Sequence, residues 1–234
     1  MTRPVLYMAP FTCARVTAIA LLEAGVDFDV EPIRFMTGQH KSDAYRAVNP
    51  LGEVPALAID GEVLTENVAI LTYLAERFPD AALLPEAPDA AARARIFADL
   101  AFCAATLHPL VTRIRLPAMI GGKDAAPVVK AMAETAMDEY FAVVEARLES
   151  GPWWYGNRWS VMDGYLFWVF WRVAGAGYDT AAFPRFTDHA RRIEQSPAVA
   201  KALAIEADVQ RKLELEGTAF VPPAVEAQGN AGGD

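Results

Sequence analysis

Apolar and polar positions change period several times over the first eighty residues. Val5 to Met8 is a short apolar run that reads as a strand. From about Cys13 to Ala24 the pattern is helical, and Gly25 suits the left-handed turn that ends a helix. Phe28 to Ile33 reads as a second strand. A polar loop follows (Thr37-Gly-Gln-His-Lys-Ser42), with a short turn over Asp43 to Ala47. Val54 to Ile59 and Glu62 to Leu64 flank Asp60-Gly61, a pair that tolerates positive φ and so predicts an antiparallel hairpin. Thr65 is the expected cap of a helix reaching Phe78, where Pro79 stops it.

The order βαβ then ββα, with one parallel crossover, predicts a mixed four-stranded sheet covered by helices, a thioredoxin-like domain over residues 1–79. Residues 80–88 are proline-rich and read as a linker. Beyond it the strand signals stop. Helical stretches are expected at Asp89 to Pro117, Asp124 to Ser150 and Ser160 to Ala174, with shorter helices between Pro184 and Glu216. The fold class is therefore α/β plus all-α, the all-helical domain covering 89–216, with 217–234 expected to be a flexible tail.

Composition narrows the function. Acidic residues outnumber basic ones 30 to 21, a net charge of -9, which argues against a nucleic-acid partner because phosphate binding needs clustered Lys and Arg. Cys13 and Cys103 stand far apart, with neither metal-ligand nor disulfide spacing, so no metal is expected and a reducing, cytoplasmic setting is. No export signal is apparent at the N-terminus. The apolar run from Tyr165 to Ala176 is interrupted by Arg172 and is too short for a bilayer, so no membrane association is expected.

Three segments carry a resemblance: Leu6-Tyr-Met-Ala-Pro-Phe-Thr-Cys13, Asn49-Pro-Leu-Gly-Glu-Val-Pro-Ala-Leu57 and Leu64-Thr-Glu-Asn-Val-Ala-Ile-Leu71. Together with Tyr155-Gly-Asn-Arg-Trp-Ser-Val-Met-Asp163, they resemble the glutathione transferases, most closely the bacterial beta-class branch, over roughly residues 4 to 205. A proline opening a strand cannot donate to the ladder and forces its predecessor into an extended conformation. The resemblance implies that Pro55 is cis, so that the backbone of Val54 pairs with glutathione as an added strand. It further implies that Glu66 and Asn67, at a helix start that favours an anion, hold the γ-glutamyl end. Gln39, His40 and Lys41 are the candidates for the glycine carboxylate.

Cys13 opens a helix beside Arg15, so the dipole and a cation are expected to draw its thiol toward neutral pKa. With Val16 where a resolving cysteine would stand, an external thiol has to resolve any mixed disulfide. Other branches of the family use an N-terminal tyrosine, which makes Tyr7 a second candidate, and His108 is a candidate for tuning the sulfur's ionisation. Packing is an open alternative for all three, and the expected role of Cys103. Phe11, Leu107, Ile114, Met119, Trp168 and Trp171 are candidates to line a pocket for an apolar electrophile, and Ser160 with Asp163 reads as a capping box. Ala14, Ala101 and Ala105 depart from the branch, which usually has hydroxyl or amide side chains there. The resemblance thus implies a homodimeric transferase joining glutathione to a small apolar electrophile. A thiol reductase or lyase with Cys13 as nucleophile, and a non-catalytic binding protein, remain as alternatives.

Overall fold

The computed structural model describes residues 3–220. Four strands form the sheet of the first domain: β1 (Val5–Met8), β2 (Asp29–Pro32), β3 (Ala56–Ile59) and β4 (Glu62–Thr65), in the order β2-β1-β3-β4. β1 pairs in parallel with β2, and β3 antiparallel with β4, as the sequence predicts; β1 also pairs antiparallel with β3. Asp60 and Gly61 both have positive φ, 52° and 87°, so the hairpin takes the turn that matches strand twist. Helices α1 (Ala14–Glu23), α2 (Asp43–Arg46) and α3 (Asn67–Arg77) complete the domain. Thr65 ends β4 instead of capping α3; Glu66 is the cap, at φ 66° and ψ 123°.

Residues 80–88 are not free of the core: Leu83 is buried and its carbonyl accepts from the Val161 amide at 2.9 Å. The second domain comprises α4 (Ala90–Ala101), α5 (His108–Arg115), α6 (Pro117–Arg147), α7 (Val161–Ala174), α8 (Pro184–Glu194) and α9 (Pro197–Leu215). A π-type turn over Phe102–Leu107 joins α4 to α5. Pro109 donates no hydrogen bond and its ring crowds the carbonyl four residues back; the wider turn absorbs this without breaking the helix. Ala90–Arg115 is by length and composition apolar enough to cross a membrane, yet Leu100, Cys103, Leu107, Val111 and Ile114 on it belong to the protein core. α6 starts earlier than expected and is broken at Gly122, where φ is 74°.

The domains share one core. α1 packs on α7 and α9, with Gly164 of α7 facing Ile19 of α1. Arg15, buried in α1, donates from Nε to Glu206 of α9 at 3.1 Å and also reaches it through Nη2; its guanidinium lies 3.9 Å over the Trp171 ring. Under α7, the buried Asp163 carboxylate accepts from the amides of Ser160 (2.8 Å) and Trp154 (2.7 Å), and its Oδ1 lies 2.9 Å from His189 Nε2. The predicted box is thus a hub that also ties α7 to α8.

Candidate active site

A cleft of about 430 Å³ runs between the two domains. Residues 9–13, Phe35, His40, Glu53 and Val54 line its first wall; His108, Val111, Thr112, Arg115 and Leu116 of α5 and its end, with Trp168 and Arg172 of α7, line the second. The start of α1 lies between them. Phe11 is held at φ 65°, a conformation that costs a non-glycine residue about 1–2 kcal/mol. Its carbonyl accepts from Trp168 Nε1 at 3.3 Å and its ring stacks on Trp171. Phe11 and Glu66 are thus two strained residues on either side of Cys13 in the chain, and such conformations persist where the surroundings over-determine them, often at functional sites.

Val54-Pro55 is cis, as the resemblance implies. The Val54 carbonyl accepts from Cys13 Sγ at 3.5 Å, and Val54 lines the cleft while Pro55 is buried behind it. Gly52, in the same motif, has φ 64°, and a Cβ there would meet the His40 carbonyl at 2.4 Å; only glycine fits this approach.

Cys13 differs from its expectation. Its residue is 6% exposed, and burial pushes the thiol up to about 12, against the favourable contact of its own backbone N–H; Glu66 and Glu53 push the same way as burial. The helix start therefore loses to desolvation. Arg15, the expected cation, is committed to Glu206 and Trp171. Cys103 is fully buried with its thiol pushed well up, in keeping with packing.

Asn67 is also used differently. Its Oδ1 accepts from the Thr17 hydroxyl at 2.8 Å and its Nδ2 donates to the Cys13 carbonyl at 3.1 Å, so the side chain ties α3 to α1. Glu66 is exposed at the α3 start, outside the cleft lining. Lys41 donates to Leu51 O, Gly52 O and Glu53, and Gln39 accepts from the Arg34 amide at 2.9 Å; neither lines the cleft. Only His40 of the three does, stacked on Phe35.

Tyr7 faces away: it is not part of the cleft lining, and its ring lies 5.9 Å from Tyr45 on the opposite side of β1 from the buried Leu6 and Met8. His108 does face the cleft, edge-on to Trp168 with Nδ1 3.4 Å from the Tyr165 hydroxyl. Burial, with Arg172 nearby, lowers its pKa to about 4, so it is a neutral imidazole at physiological pH. Phe11, Met119 and Trp168 line the cleft as expected, whereas Leu107, Ile114 and Trp171 pack behind it. Ala101 and Ala105 are exposed and lie off the lining.

Arg115, Arg172 and the end of α9 were not among the expected lining residues. Gln210, Leu213, Thr218 and Phe220 line the cleft, so the segment expected to be a tail from 217 contributes to the wall; residues 221–234 of that expectation lie outside the described residues. Arg172 did give a signal, as the charge interrupting the apolar run of α7. Among the described residues, no cluster of three or more metal-ligating side chains occurs.

Comparison with known proteins agrees with this geometry. A family model for the glutathione S-transferase N-terminal domain matches residues 12–77, and one for the C-terminal domain matches residues 125–192. Glutathione S-transferase GstA of Escherichia coli O157:H7 is 31% identical over 86% of this chain and 98% of its own length. A maleylacetoacetate isomerase of Pseudomonas aeruginosa is 33% identical over 79% of this chain and 87% of its own. The solved bacterial beta-class glutathione S-transferase of Sphingomonas chungbukensis superposes with a TM-score of 0.75 at 34% identity, covering 86% of this chain and 98% of that one. By its fold, its two domain matches and these near full-length relatives, the chain belongs to the glutathione S-transferase family, whose co-substrate is glutathione.

Proposed function

We propose that this chain binds glutathione on the first wall of the cleft and joins its sulfur to an electrophile held against the second. The observation that carries the reading is the Val54 carbonyl, which meets the start of α1 at Cys13 Sγ, 3.5 Å away, beside an aromatic and aliphatic pocket. The tripeptide would pair with the Val54 backbone, place its γ-glutamyl end by Glu66 and the free N–H groups opening α3, and its glycine end toward His40. Its thiol then lies at the start of α1, where the helix dipole favours the thiolate. Bringing a thiol from about 9 to about 6 or 7 raises the thiolate fraction at neutral pH by roughly one to two orders of magnitude.

In the transfer the thiol proton passes to solvent, the sulfur forms the new bond to carbon, and the leaving group departs with the electron pair of the bond it breaks. Holding both reactants in one cleft supplies much of the remaining acceleration. Cys13, protonated and buried, acts as a hydrogen-bond donor beside the sulfur instead of as the nucleophile. Calorimetry with glutathione and a conjugation assay with 1-chloro-2,4-dinitrobenzene test the reading, and a well-folded sample that binds no glutathione would sink it.

Glutathione-dependent isomerisation is the second reading, favoured by the 33% identity to the Pseudomonas aeruginosa isomerase. Product analysis separates the two, since isomerisation returns free glutathione. Exposed apolar side chains on α4 and α6, among them Phe97, Val128, Met132 and Val143, support a homodimer, which sedimentation will test.

A further inference from the structure

We propose that Arg115 and Arg172 form a carboxylate site on the helical wall, so that the acceptor is an aromatic-sized apolar molecule bearing an acidic group. This rests on the transferase reading and specifies its acceptor. Both side chains line the cleft from adjacent helices, and Arg115 Nη1 donates to the Arg172 carbonyl at 3.3 Å, which holds the two together. Among the described residues neither pairs with a carboxylate, and each has a buried Nε without a partner.

The carboxylates close enough to help are already taken. Glu206 accepts from Nε and Nη2 of Arg15, and Glu53, on the opposite wall, is paired with Lys41. Burial lowers the pKa of both arginines; for Arg172 it acts with Arg115 and Arg15, against Glu206, and brings the group down to about 9. Arg15 and Arg172 thus share one internal carboxylate, and it is paired with Arg15. Two cleft-lining guanidiniums with no carboxylate paired to either fit a planar carboxylate, which would answer their charge.

The rest of the wall specifies the body of the ligand. Phe11, Val111, Leu116, Trp168, Leu213 and Phe220 are apolar and offer flat and aliphatic surface for a ring. The site therefore selects molecules that are acidic at one end and apolar elsewhere.

Two matched pairs test this on the full chain. In the first, calorimetry compares 3,5-dinitrobenzoate with its neutral isostere 3,5-dinitrobenzamide. The benzoate is expected to bind at least about tenfold more tightly, the scale of a hydrogen bond to a charged group. In the second, 4-chloro-3,5-dinitrobenzoate and 1-chloro-2,4-dinitrobenzene serve as acceptors. Glutathione sulfur replaces chloride in each, and KM is expected to be lower for the acid by a similar factor.

Arg172→Met and Arg115→Met should cost the benzoate at least about tenfold and the benzamide far less. Equal affinity for benzoate and benzamide in the unaltered chain overturns the proposal whether or not the variants fold. So does a loss in the variants that falls on glutathione as heavily as on the benzoate, because the pair would then hold the tripeptide's own carboxylate. Glutathione calorimetry on the unaltered chain reports separately on the transferase reading.

Discussion

The two walls of the cleft use their polar groups in opposite ways. Around and behind the first wall most polar side chains are spent inside the fold: Asn67 on Thr17 and the Cys13 carbonyl, Lys41 on Glu53 and two carbonyls, Gln39 on Arg34, Thr12 on the Ala9 carbonyl. What remains for a ligand is backbone, at Val54 and at the helix starts, together with His40, whose buried Nδ1 has no partner. On the second wall, side chains of Arg115, Arg172 and Gln210 each keep a buried polar atom without a partner. A wall made mostly of fixed backbone suits one ligand shape, glutathione in the proposed function, whereas a wall of uncommitted side chains can change its preference by substitution without disturbing the fold. The contrast predicts that committed groups govern stability and uncommitted groups govern selectivity.

The largest effect should come from the arginine that is committed. Glu206→Ala strips Arg15 of its partner and leaves a buried charge, an expected loss of about 3–5 kcal/mol in urea unfolding. Arg172, whose guanidinium lies 5.8 Å from the same Trp171 ring, has no such partner among the described residues, so Arg172→Met should melt at or above the unaltered chain. If both variants lost stability equally, the distinction between the arginines would fail.

His108 gives a pH test of the second wall. Its pKa is about 4 in the fold against 6.5 in the unfolded chain, so between those values the unfolded state binds the extra proton and stability rises with pH. Stability is therefore complete above about 6.5 and falls as pH drops toward 4, by on the order of 3 kcal/mol. His108→Phe should remove that share of the acid sensitivity; unfolding curves for the two proteins that stay parallel from pH 7 to pH 4 would contradict it.

Asn67→Ala should cost about 2 kcal/mol, because the Thr17 hydroxyl and the Cys13 carbonyl lose their partners in a buried place. If the variant kept its stability and lost only glutathione affinity, Asn67 would be a ligand contact after all, and the first wall would be less committed than its hydrogen bonds imply.

The difference between the walls also explains what the sequence made legible. The first wall is assembled from short, local motifs: the Asp60-Gly61 turn, the proline at 55 and the glycine at 52 each announce a backbone conformation. The antiparallel hairpin could be anticipated from its turn, and the cis bond from the family resemblance. The second wall brings together His108 and Arg115 of α5, Trp168 and Arg172 of α7 and the end of α9, more than one hundred residues apart in part, with no local signature of meeting. Arg172 was visible only as a flaw in an apolar run, and Asn67 and Cys13 kept their expected places while burial and competing hydrogen bonds altered what they do there.

The smallest effect is expected at Cys13, although it is the most reactive residue type in the cleft. With its thiol near 12, the thiolate at pH 7.5 is roughly one part in ten thousand or less, too scarce for rapid exchange with a disulfide. Iodoacetamide at that pH should leave Cys13 unmodified by intact mass, and oxidised glutathione should add nothing. Cys13→Ala removes a weak donor and one buried sulfur, at about 1 kcal/mol of stability. Conjugation should persist, with kcat/KM lowered by less than about tenfold, the worth of one neutral hydrogen bond. A drop of several orders of magnitude, or a mixed disulfide forming within minutes at pH 7.5, would make Cys13 the nucleophile. The first wall would then contribute a reactive side chain as well as backbone, and the division of labour between the walls would not hold.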